Sequence, residues 1–133
     1  MENLAKIDDF IENIGKVLFD FFDEDWSKIV MGAFVNREVN LLNVKVYVQK
    51  KSNQKYIDIN TLLVDHPLYI VKLSQLTDLC NQLNDSFKKL NSEWNTMTFK
   101  MTADGKFDVD YNYDHFDSSD LMSYKKWEEI NLD

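Results

Sequence analysis

The chain has 133 residues, 44% hydrophobic and 14% aromatic, and a formal net charge of -8. That length builds one core rather than two, and the aromatic content is well above that of a disordered segment. The negative charge excludes nucleic acid and anionic lipid as natural partners, because both repel it at long range, and favours a basic one.

Leu4, Ile7, Ile11, Ile14, Leu18 and Phe21 recur at spacings of three and four, which predicts an amphipathic helix from Leu4 to about Phe22. Its charged residues interrupt the apolar run, so neither a signal-peptide core nor a membrane span is expected there. Ile29 to Val35, Leu41 to Val48 and Tyr56 to Ile59 are short runs rich in β-branched and aromatic residues, separated by polar turns at Asn36 to Asn40 and Lys50 to Lys55. They predict a three-stranded meander. Pro67 is the single proline, and a loop is expected over Leu62 to Tyr69 around it.

Leu73, Leu76, Cys80, Leu83, Phe87 and Leu90 repeat at three and four again, predicting a second helix from about Val71 to Asn91. Met97, Phe99 and Met101 alternate, as do Phe107, Val109, Tyr111 and Tyr113, with the hairpin dipeptide Asp104-Gly105 between the two runs. Ser118, Ser119 and Asp120 are candidate N-caps for a terminal helix from Leu121 to about Ile130. The expected fold is a single α+β domain over residues 1–133, in the order αβββαββα, with helices packed on an antiparallel sheet.

Charge is distributed in blocks. Residues 1–25 carry a net -6, residues 26–103 a net +4, and residues 104–133 a net -6. If the two acidic ends share one side of the fold, they form a field that steers a basic partner; a solvated surface is the competing reading. The sharpest local feature is the run Asp108 to Asp114, where alternation places Asp108, Asp110, Asn112 and Asp114 on one face of a strand. Such a row docks in a cationic cleft, or else keeps an edge strand soluble and unpaired. Glu24, Asp25, Asp108, Asp110, Asp114 and Asp117 are therefore the candidate contacts. Trp26, Trp94 and Trp127 lie near element boundaries and read first as core anchors, with Trp127 also a candidate interface anchor.

Catalytic and metal chemistry find little material. The Asp108 run opens like a calcium loop, but Tyr113 stands where the glycine is required and Ser119 where the bidentate glutamate is. His66 and His115 have no zinc-binding spacing. Cys80 is the sole cysteine: it forbids an internal disulfide, fits a reducing cytoplasm, and sits on an apolar stripe as a small hydrophobe does. Three glycines and no phosphate-binding motif leave no cradle for a nucleotide. No cofactor and no enzymatic activity are expected. A rival expectation is a small-molecule or peptide-binding regulatory domain with a cavity lined by Met97, Phe99, Met101 and Tyr111. Another is a homodimer through the strand at Tyr56 to Ile59.

The order of landmarks resembles the YezG-like immunity protein family, small antitoxins encoded beside secreted toxins of Gram-positive bacteria. The residues that carry the likeness are the opening helix closing on Phe22-Asp23-Glu24-Asp25-Trp26-Ser27-Lys28-Ile29, the strands after it, the long helix ending near Trp94, and the hairpin Phe99 to Tyr113 with Asp104-Gly105-Lys106-Phe107 at its tip. The likeness spans nearly the whole chain but departs in the tail, where Ser123-Tyr124-Lys125-Lys126-Trp127-Glu128-Glu129 runs on to an acidic Asp133. The resemblance implies a cytoplasmic, non-enzymatic protein of bacterial competition. Such a protein binds the toxin domain made in the same cell, often a nuclease, and holds it inactive until export; the acidic side of this domain is expected to do so by covering the toxin's cationic active-site cleft. The partner would be a toxin with a basic surface, not nucleic acid or membrane, and the protein itself a monomer or weak homodimer.

Overall fold

Ile7, Ile14 and Leu18 lie on one side of helix α1 (Glu2–Phe19) and are buried, as the apolar periodicity requires. The computed structural model describes residues 2–22, 25–52, 55–117 and 119–132. Helix α1 ends at Phe19, earlier than the periodicity suggests, and Leu4 is 55% exposed. Phe21 and Phe22 are buried nonetheless, because the chain turns and inserts both rings beside Tyr69, at centroid distances of 5.4 and 6.2 Å. Lys72 Nζ donates to the carbonyls of Asp20 and Phe21, at 2.9 Å each, and so satisfies acceptors that the helix end leaves open.

Strands β1 (Trp26–Asn36), β2 (Leu41–Lys50) and β3 (Tyr56–Asp58) form the expected meander. Ile59, expected at the end of the third strand, instead opens a 3-10 helix (Ile59–Leu62) and is fully buried. Helix α2 (Leu68–Lys88) starts directly after Pro67, not at Val71, so the expected loop is shorter. Proline restricts the residue before it, while its own fixed φ, here -62°, suits the first turn of a helix; the break marks a beginning. Strands β4 (Thr96–Thr102) and β5 (Phe107–Asn112) form the hairpin, with Gly105 at φ +87° in the turn. Helix α3 (Leu121–Asn131) is capped by Asp120, whose Oδ1 accepts from Met122 N at 2.9 Å. Ser118, an alternative cap, lies outside the described residues.

The sheet is antiparallel throughout, in the order β3-β2-β1-β4-β5. The second hairpin therefore docks on the free side of β1 and makes β1 the central strand. One face, carrying Ile29, Met31, Ala33, Val46, Val48, Met97 and Phe99, packs under α1 and α2. The other presents Val30, Phe34 and Tyr47 to Tyr124 and Trp127 of α3. The result is three layers, with α1 and α2 on one side of the sheet and α3 alone on the other.

Gly32 lies beneath the Phe34 ring and the Trp127 indole of α3. A Cβ there would lie 2.5 Å from Phe34 Cζ and 2.7 Å from Trp127 Cζ2, so only a residue without one fits. We expect Gly32→Ala to cost about 1–3 kcal/mol through overpacking, read as a lower urea midpoint at unchanged slope. An unchanged midpoint would mean that the rings move aside freely.

Candidate partner-binding face

The alternation of β5 turns Phe107, Val109 and Tyr111 toward α1 and α2, where Phe107 stacks on Phe99 at 4.8 Å and Tyr111 meets Phe87 at 4.9 Å. Asp108, Asp110 and Asn112 then point to the α3 side, and all three are exposed. In register they stand opposite Lys100, Thr98 and Thr96 of β4. Strand β5 pairs only with β4, so it forms one edge of the sheet.

Helix α1 runs along the same edge on the opposite side of the sheet. Glu12, Lys16 and Asp20 border a shallow depression of about 280 Å³ together with Phe107 and Gly105 of the hairpin. Asp8 is near enough to help raise the Tyr111 phenol to about 12, after burial and the neighbouring Tyr113. Carboxylates from the first and last parts of the chain thus flank one edge strand from its two sides. The two acidic blocks therefore reach the same edge on opposite faces of the sheet, not on one side of the fold.

Asp114 follows β5 and is held in place through its backbone. Its N–H donates to Asn112 Oδ1 at 2.8 Å, and its carbonyl accepts from Asn95 Nδ2 at 3.1 Å. Asn95 Oδ1 in turn accepts from Arg37 Nε at 2.9 Å, while Arg37 also reaches Asn84 Oδ1 and the Trp94 carbonyl. Arg37 is therefore a clamp that joins the β1–β2 turn, α2 and the start of β4, and no feature of the sequence pattern marked it. Asp117 Oδ1 accepts from Ser119 N at 3.0 Å and from Ser119 Oγ at 2.6 Å, which makes it the pivot of the turn into α3. Those donors hold its carboxyl below the usual aspartate range. The turn is therefore supported above the ordinary aspartate pKa, and that support fades as pH falls through the lowered value.

Asp25 does not join this row. It sits at the start of β1 beside Lys50, Lys51 and Ser52, roughly 10 Å from β5 by two strand spacings and several residues further along the sheet. Glu24 lies outside the described residues. Trp127 is 7% exposed and donates its Nε1–H to Thr98 Oγ1 at 2.9 Å, so its indole holds α3 to the sheet rather than standing free on the surface.

The stripe expected to line a ligand cavity is solid core: Met97 and Phe99 are fully buried, Met101 is nearly so, and Tyr111 is wedged against Phe87 and Trp94. Among the described residues, no group of three His, Cys, Asp or Glu side chains is placed to hold a metal. No helix among them is long and apolar enough to cross a membrane. Cys80 is fully buried, and burial pushes its thiol up, away from the reactive thiolate. We expect native protein to resist iodoacetamide at pH 8 and to be alkylated at Cys80 only once unfolded; rapid labelling of the folded protein would contradict this packing.

The profile of the family described as immunity protein YezG-like matches residues 7–132, from the first buried residue of α1 to the end of α3. The chain belongs to the YezG-like immunity protein family. Immunity protein YezG of Bacillus subtilis (strain 168) is 28% identical over 132 residues, a match that covers 93% of this chain and 86% of that protein. The matched span includes β5 and all of α1 beyond its first five residues.

Proposed function

We propose that this chain neutralises a cognate toxin by stoichiometric binding, its acidic β5 edge covering the cationic cleft in which the toxin holds its substrate. The observation that carries the reading is the convergence of Asp8, Glu12 and Asp20 with Asp108, Asp110 and Asp114 on the two sides of one edge strand. A row of carboxylates repeating about every 6.8 Å along a strand presents linear negative charge, the form of charge that a nuclease cleft is built to receive. Catalysis by the chain itself has no part in this mechanism.

The work is electrostatic and steric. Long-range attraction brings the two proteins together quickly, and the rigid sheet then excludes substrate. Asp114 and Asp117 extend the row toward α3, and Trp127 keeps the backing layer in place. Asp25 falls to a secondary role at a site flanked by lysines. Such a mechanism operates where the toxin is made, in the cytoplasm, before export.

Co-expression with the toxin domain encoded beside this chain tests the reading. The expected result is a stable 1:1 complex in which the toxin's activity is lost and returns when the complex is dissociated. Failure of the two to co-purify, with the toxin fully active, would refute the proposal.

A further inference from the structure

Helix α3 covers only part of its side of the sheet. It packs on β1 and β2 through Phe34, Tyr47 and Val30 and leaves a groove of about 360 Å³ above β4 and β5. The floor is Thr96 and Thr98, one wall is Asp110, Asn112 and Asp114, and Trp127 closes the other side. Thr98 Oγ1 is taken by the Trp127 indole. Thr96 is also only 7% exposed, yet its hydroxyl has no hydrogen-bond partner among the described residues, while its position in the register turns it into the groove opposite Asn112. That oxygen opens on the groove and is not sealed from solvent, so whatever fills the groove, water or a ligand, supplies its partner.

We propose that this groove is a receptor for a guanidinium group, an arginine side chain inserted by the bound partner. The identity of the donor rests on the toxin-binding reading; the chemistry of the groove does not. Its lining offers acceptors from two sides, the carboxylates of Asp110 and Asp114, the Asn112 side-chain oxygen and the Thr96 hydroxyl, spread along two adjacent strands. Lys126 and His115 also line it, beside the two carboxylates. A guanidinium presents five donors in a rigid plane and can engage several such acceptors at once, whereas an ammonium is a point charge that satisfies fewer. The volume is at the lower end of ligand-sized pockets, which suits a single side chain.

The test is a titration of the folded protein with N-acetyl-arginine methylamide, followed by amide and indole N–H shifts in two-dimensional NMR, with the lysine and neutral citrulline analogues as controls. Saturable shifts centred on Asp110, Asn112, Asp114 and the Trp127 indole are expected. They should be strongest with arginine, weaker with lysine and absent with citrulline. Thr96→Val, which removes the free hydroxyl without changing charge, and Asp110→Asn should each weaken half-saturation by roughly tenfold. Equal shifts with citrulline, shifts spread evenly over Glu12, Asp104 and Asp108, or unaltered binding by Thr96→Val would overturn the proposal. Arginine binding by a protein that captures no toxin would leave the groove standing and remove the toxin reading. Toxin capture unaffected by both variants would do the reverse.

Discussion

Changing Asp108, Asp110 and Asp114 together to lysine should slow association with the toxin by at least about tenfold at low ionic strength, while leaving the fold almost untouched. All three side chains are exposed, and Asp108 and Asp110 carry no ion pair among the described residues, so their removal takes away no buried interaction. Surface changes of this kind usually alter stability by no more than about 0.5 kcal/mol. The salt dependence should also flatten, because the long-range attraction that salt screens has been reversed at its centre. Stopped-flow association at two ionic strengths, alongside a thermal melt, reads both effects. A variant that melts normally and associates at the original rate would remove β5 from the interface.

Trp127→Ala should be the most destabilising single substitution on the α3 side, at about 3–5 kcal/mol. The indole packs edge-on against Phe34 at 5.2 Å and beside Tyr47 at 5.6 Å, and it fills the space above Gly32 that no side chain can occupy. Its loss leaves a cavity and also frees Thr98 Oγ1, a buried hydroxyl that then lacks a donor. Tyr124, the flanking Phe116 and the Tyr47 hydroxyl donating to Glu128 would then be left to hold α3 to the sheet. Since single domains are stable by only about 5–15 kcal/mol, part of the population would unfold at moderate temperature. Urea denaturation measures the loss. Trp127→Phe, which keeps a ring but not the N–H, should fall between the two, and near-native stability of the alanine variant would show that α3 docks by other means.

The element order was legible because the local signals agree with the fold: two helical stripes, three β-rich runs and an Asp-Gly turn. Boundaries were less so. Phe21 continues the helical spacing but is buried from a turn, and Pro67, read as the middle of a loop, begins a helix. The carboxylate face of β5 was legible from alternation alone. Its position beside α1 was not, because it depends on β4 pairing with β1, a contact between residues some seventy positions apart. Trp127 illustrates the same limit: a tryptophan near the end of a chain fits a surface anchor as well as a core, and only Gly32 and Thr98 across the sheet decide between them. Thr96 and the Arg37 clamp carried no pattern at all, since a threonine in a strand and an arginine in a turn are ordinary until their partners are known.

Hydrogen–deuterium exchange on the purified complex tests the central claim most directly. The account predicts new protection along β5, in the β4–β5 turn and on the adjoining side of α1. The strongest rival surface is the apolar patch at the start of α2, where Val64 is 94% exposed beside Leu68, Ile70 and Val71, and it should exchange as in the free protein. Protection confined to that patch, with β5 unchanged, would contradict the assignment of the acidic edge as the surface that holds the toxin.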